Sequence, residues 1–232
     1  MVDNTSTRTE TETEADAGIA LRAEGIEKTY GSRLSFTRTV EVLTGASIEL
    51  STGEIVGIVG ENGSGKSTLM QILVGALAAD AGTITRNATV GWCPQDSLLY
   101  ERLTVAETFQ LFGEAYGLSH DEIAAGTDRL AARLDFEQFL DYRIDHLSGG
   151  NRRKVDLSIA LLHDPDVLLL DEPYTGFDWE TYLAFWDLTD DLTERGTAVA
   201  IISHILNERE RFDRIYELRD GELHQERQQE DQ

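Results

Sequence analysis

Between residues 19 and 202 the chain alternates short apolar stretches with longer amphipathic ones. The stretches 19–30, 41–50, 54–60, 82–92, 166–171 and 197–202 are rich in aliphatic residues and bounded by Gly, Asp or Pro, which predicts strands. Two of them, Ile55-Val56-Gly57-Ile58-Val59 and Val167-Leu168-Leu169-Leu170, show no polar alternation. A strand reads that way when both faces are buried, as in a parallel sheet covered on two sides. The windows 104–117, 120–134 and 135–142 instead carry Leu, Phe and Ala at helical spacing with no strand between them, and a further helical stretch runs from about 151 to 163. An α/β core with a mixed sheet, an antiparallel β region and an inserted α-helical subdomain at about 96–147 is therefore expected over residues 19–223. Residues 1–18 hold only Val2, Ala15 and Ala17 among many Thr, Glu and Asp, and 224–232 is a Gln/Glu run. Neither can bury enough apolar surface to offset its ordering entropy, so both are expected to be disordered tails.

Composition narrows the partners. There are 43 acidic against 20 basic residues, a formal net charge of −23, and the only lysines are Lys28, Lys66 and Lys154. Such a field repels phosphate backbones and anionic head groups, which excludes nucleic-acid binding and direct lipid insertion. The carboxylate-rich coat also fits a chain adapted to high salt, where screening weakens self-repulsion. Cys93 is the only cysteine, so no intramolecular disulfide forms, and the N-terminus lacks a secretory signal. No apolar run reaches the roughly 20 residues of a spanning helix. The expected location is the cytoplasm, with any membrane link made through a partner.

Strand 54–60 runs directly into Gly60-Glu61-Asn62-Gly63-Ser64-Gly65-Lys66-Ser67-Thr68 and then an apolar helix. This is the order of a phosphate-binding loop: glycines turn backbone N–H groups inward at a helix N-terminus, Lys66 adds a point charge, and the Ser67 hydroxyl can ligate Mg²⁺. Strand 166–171 delivers Asp171 and Glu172 to the edge of the sheet where ligands of open α/β folds collect. There Asp171 suits a metal and Glu172 an attacking water, since phosphoryl transfer is mostly positioning and charge stabilisation. Leu147-Ser148-Gly149-Gly150-Asn151 presents a hydroxyl and free N–H groups at another helix start, either a second anion site or an ordinary N-cap.

The ordered set of phosphate loop, Gln95, Leu-Ser-Gly-Gly, Asp-Glu-Pro and His204 resembles the ATPase subunits of ATP-binding-cassette (ABC) transporters, over roughly residues 19–223. The resemblance implies ATP and Mg²⁺ as ligands and a head-to-tail dimer with a second cassette, a homodimer or a sister subunit. Ser148, Gly149 and Gly150 would then reach the partner's nucleotide, and Asp178 in Thr175-Gly176-Phe177-Asp178 would reach across the dimer. It likewise implies that Gln95 touches the metal and the attacking water, that His204 contacts the γ-phosphate, and that Tyr30 stacks on adenine. For that last role Phe36 is an alternative, and an edge-strand core role is the lesser reading of Tyr30. Two departures from the family pattern are Asn151, where glutamine is usual, and Tyr174-Thr175-Gly176-Phe177, where smaller residues are commoner. Lys66 and Asp171 are 105 positions apart, which leaves room for one helical subdomain and no long coiled coil. Leu103-Thr104-Val105-Ala106-Glu107-Thr108, Phe112 and Tyr116-Gly117-Leu118 resemble exporters with a separately encoded integral membrane permease. A soluble ABC ATPase of the iron–sulfur assembly type is the rival reading.

Overall fold

The computed structural model describes residues 18–31, 39–203 and 208–226. Strands β1 (Ile19–Tyr30), β2 (Val40–Ser51) and β4 (Ala81–Arg86) form a three-stranded antiparallel sheet in the order β2-β1-β4. The second sheet has six strands in the order β5-β6-β7-β3-β8-β9, made by β3 (Ile55–Val59), β5 (Val90–Cys93), β6 (Val167–Asp171), β7 (Ala198–Ile202), β8 (Arg214–Arg219) and β9 (Glu222–Gln225). All its pairings are parallel except β8 with β9, so the sheet is mixed.

The non-alternating strands are explained by two cores. Leu168, Leu170, Val199 and Ile201 face one, together with α2 (Val105–Ala115), α3 (His120–Arg133), α4 (Gly149–Leu161) and α5 (Trp179–Glu194). Val167, Leu169, Ala198 and Ala200 face the other, packed on α1 (Lys66–Val74) and on the antiparallel sheet through Leu21, Ile26, Ile48 and Leu50. Successive residues of a strand point to opposite faces, so a strand between two cores is apolar at every position. Capping boxes fix the starts of two helices: Thr104 with Glu107 before α2, and Ser119 with Glu122 before α3. Phe109 and Phe136 stack at 6.2 Å and tie α2 to the turn after α3.

Three expectations change. The stretch 82–92 is two strands in different sheets, because Thr89 turns out of the ladder and gives both its N–H and its hydroxyl to Asp166 at 2.8 Å. The window 135–142 holds only a three-residue 3₁₀ turn, Glu137–Phe139, entered through Asp135 at a φ of 52°. Strand β9 takes in His224 and Gln225, which the sequence places in the tail; pairing of Tyr216 with Gln225 and of Glu217 with His224 holds them. Residues 1–17 and 227–232, and with them most of both expected tails, lie outside the described residues, as does Phe36. Among the described residues no helix is long and apolar enough to cross a membrane.

Candidate functional site

The site lies at one end of the sheet, where β3 and β6 end on either side of β7. From β3 the chain enters the glycine loop and then α1, whose N-cap Gly65 has a φ of 104°. A Cβ at Gly65 would stand 2.7 Å from Val42 Cγ1, so both the left-handed backbone and the close approach of β2 require glycine there. Gly60 is pinned by Leu218, whose carbonyl oxygen would lie 2.6 Å from a Cβ.

Lys66 is buried at the first turn of α1, and its Nζ donates to the carbonyl oxygens of Gly60 at 2.8 Å and Glu61 at 2.9 Å. Burial pushes its pKa down, while Glu172 and Asp171 pull it back up. Asp171 sits at the last position of β6. Burial raises its carboxyl, the Ser67 hydroxyl donates to it and opposes that rise, and Glu172 pushes the same way as burial. A loop hydroxyl and a strand-end carboxylate are thus already in contact, although 103 residues separate them.

Glu172 follows with a φ of 51°, a left-handed conformation that a non-glycine residue rarely takes. Its amide donates to the Ile202 carbonyl at 3.0 Å, which ties the turn to β7. Such a conformation costs about 1–3 kcal/mol and persists where the surroundings over-determine it, which here aims the carboxylate into the site. Glu172 Oε2 accepts from Ser203 Oγ at 3.5 Å, and Ser203 also hydrogen-bonds Tyr174, whose phenol burial pushes up to about 12. Tyr174 is held in an aromatic cluster with Tyr182, Phe185 and Trp186.

A cavity of about 460 Å³ joins these groups. Asn62, Gly63, Gly65, Lys66, Ser67, Thr68, Gln95, Asp171 and Glu172 line it, together with Val42 and Thr175. The last two were not foreseen: Val42 belongs to a different sheet, and Thr175 reaches the cavity only because the backbone turns at Glu172. Glu61 and Ser64 line a neighbouring cavity of about 690 Å³ on the other side of Asn62 and Gly63. Gly60 borders a third, beside Glu61.

The remaining expected residues stand outside the 460 Å³ cavity. Tyr30 ends β1 opposite Val40, 44% exposed. Ser148 is the N-cap of α4, its Oγ accepting from the Asn151 amide at 3.2 Å. A Cβ on Gly150 would lie 2.7 Å from the Gly176 carbonyl oxygen, whereas one on Gly149 would meet nothing within 4 Å. Asp178 caps α5, its Oδ1 accepting from the Thr181 amide at 2.8 Å, and that bond pulls its carboxyl pKa down. His204 lies outside the described residues.

The donor set suits a hard divalent cation of the Mg²⁺ kind. Ser67 and Asp171 offer oxygen ligands in contact with each other, and Gln95 lines the same cavity. Among the described residues no group of three or more His, Cys, Asp or Glu could hold a metal.

The family model described as ABC transporter matches residues 43–175. An uncharacterised ABC transporter ATP-binding protein of Methanocaldococcus jannaschii is 32% identical over 87% of this chain and 74% of its own length. The ABC transporter ATP-binding protein NatA of Bacillus subtilis is 33% identical over 74% of this chain and 75% of its own. A Nod factor export ATP-binding protein I of Burkholderia lata is 35% identical over 84% of this chain, which covers 66% of that relative. Among solved structures, an ATP-binding subunit of an ABC transporter superposes with a TM-score of 0.80 at 25% identity, covering 89% of each chain. A dimeric ABC transporter cassette gives 0.81 at 24% identity over 89% of this chain and 98% of that one, a likeness of fold.

Proposed function

The chain belongs to the ATP-binding subunits of ABC transporters, and on that premise we propose that it hydrolyses ATP with Mg²⁺ to drive export through a separate membrane permease. The observation that carries the proposal is the convergence of Lys66, Ser67, Asp171, Glu172 and Gln95 on one cavity beneath a glycine loop.

In this reading the loop amides of residues 60–66 and the Lys66 ammonium take the β- and γ-phosphates. Ser67 and Asp171 would hold Mg²⁺, which would supply neutralisation of phosphate charge, and Gln95 would help orient the attacking water. Glu172, fixed by its left-handed turn and by Ser203, polarises the attacking water, and its burial keeps that carboxylate away from competing solvent. Lys66 stabilises the charge that develops as the phosphoryl group leaves. The family resemblance supports a γ-phosphate contact for His204 and an adenine contact for Tyr30.

Ser148, Gly149, Gly150 and Asp178 stand outside the cavity, and a head-to-tail second cassette gives them a ligand to meet: the nucleotide held by its partner. A homodimer or a sister subunit both satisfy this. Docking on a permease assigns the chain to the cytoplasmic face of the membrane. The relatives named in words of export favour export over import, and the rival reading as a soluble iron–sulfur assembly ATPase receives no support from the relatives compared.

The test is turnover and assembly of the full chain, wild type against Glu172→Gln, in molar KCl with Mg-ATP. Wild type should release phosphate. The variant should bind ATP with little change, lose at least about 100-fold in rate, and accumulate as a dimer in ATP. A variant that turns over normally would remove Glu172 from the chemistry.

A further inference from the structure

We propose that Arg153 and Asp156, on the helix that follows Leu-Ser-Gly-Gly, are positioning residues for ATP turnover: they clamp the loop carrying Gln95 to α4 and to the end of the strand carrying Asp171. The inference deepens the ATPase reading above and rests on it.

Arg153 is 7% exposed, and a buried guanidinium is costly unless its donors are used. Here they go to backbone carbonyls rather than to a carboxylate. Nε donates to Pro173 at 3.2 Å, one terminal nitrogen donates to Asp171, and the other donates to Pro94 and, at 3.5 Å, to Gln95. One planar side chain thereby touches three segments of the site: the Gln95 loop, the residue bearing the metal-side carboxylate, and the proline after Glu172. A planar fork holds these carbonyls in a fixed mutual arrangement, which a single ammonium cannot do.

Three residues on, Asp156 is 6% exposed and accepts from Ser97 Oγ at 3.0 Å. Ser97 lies two residues beyond Gln95, so the loop is held on either side of the glutamine, at Pro94 by Arg153 and at Ser97 by Asp156. Neither side chain lines the nucleotide cavity; they act through the backbone on Gln95, Asp171 and Glu172. A movement of α4 is thus delivered to Gln95 and to the catalytic turn together, because one side chain grips both. The family resemblance pointed to the small residues of the Leu-Ser-Gly-Gly segment, but the side-chain hydrogen bonds to the Gln95 loop and to Asp171 come from these two charged residues one turn later.

The test uses full-length wild type, Arg153→Lys and Ser97→Ala, measuring kcat and KM for Mg-ATP and the rate at which a thiol reagent labels Cys93. Cys93 is fully buried immediately before Pro94, so its labelling reports release of the loop. The expected result is a kcat lower by about 10- to 100-fold for Arg153→Lys and about threefold for Ser97→Ala, with KM held within about twofold, because misplacement of a catalytic group costs rate rather than binding. Cys93 should react several-fold faster in both. Ser97→Ala deletes one hydroxyl from a partly exposed loop, so it decides the matter if Arg153→Lys fails to fold. Wild-type kcat in folded variants overturns the proposal, as does a rise in KM with kcat intact, and both leave the ATPase reading standing. Wild type that binds ATP without turning it over removes the two together.

Discussion

At the scale of single residues the site depends on side chains held where their ordinary preferences would not put them. Glu172 has a left-handed backbone and Lys66 is a buried ammonium whose hydrogen-bond partners are carbonyls of its own loop. The types and order of these residues are legible in the sequence, because a glycine loop followed by Lys-Ser and a strand ending in Asp-Glu have chemical meaning by themselves. Their contacts are not, since Ser67 meets Asp171 only because β3 and β6 both pair with β7 in one sheet. Asp156 yields a measurable consequence. Burial raises its carboxyl from 3.8 to about 6, against the opposing pull of Ser97, Arg153 and Arg152. Between those values the folded chain keeps a proton that the unfolded chain has lost. The stabilisation is therefore complete below about 3.8 and is lost as pH rises through about 6. Asp156→Asn keeps an acceptor for Ser97 and cannot ionise. Its melting temperature relative to wild type should rise between about pH 4 and pH 7, and a constant difference across that window would refute the raised carboxyl.

At the scale of elements, α4 has the most specific constraints. Its first turn contains two adjacent glycines that the sequence cannot tell apart. Gly150 packs under the Gly176 carbonyl and Gly149 faces open space. Gly150→Ala should cost about 1–3 kcal/mol in urea unfolding, by pushing α4 off the turn that carries Glu172. Gly149→Ala should fall within about 0.5 kcal/mol of wild type, since nothing opposes the methyl. Equal effects would mean that Gly150 and Gly176 are not in contact. Helices α2 and α3 are readable in advance because capping boxes and amphipathic spacing are local. The stretch 82–92 is not: a continuous β-rich pattern cannot state that Arg86 and Val90 belong to different sheets, a fact decided by Asp166 bonding Thr89 across 77 residues. Asp178 shows the converse, since its position marks a family role while its contacts show an N-cap.

At the scale of the molecule, the sequence has a net charge of −23, and among the described residues ion pairs such as Arg129 with Asp164 and Arg133 with Asp191 are solvent-exposed. Pairs of that kind contribute little, about 0–1 kcal/mol each, so carboxylate repulsion dominates the long-range term. Raising KCl from about 0.1 M to 1 M shortens the screening length from about 10 Å to about 3 Å and should raise the melting temperature; a fall or a flat response would show that repulsion does not limit stability. The sequence by itself determined the α/β class, the helical insert, the glycine loop between β3 and α1 and the paired carboxylates, because period, turn residues and motif spacing act over a few neighbouring positions. Only the tertiary structure decided that Val42 closes the loop from another sheet, that Thr175 joins the cavity, that the chain after 213 returns as an antiparallel hairpin, and that Arg153 ties the Gln95 loop to the Asp171 strand. Each of those depends on contacts between residues far apart in the chain, set by how two cores pack against the faces of one sheet, and no local pattern encodes that packing.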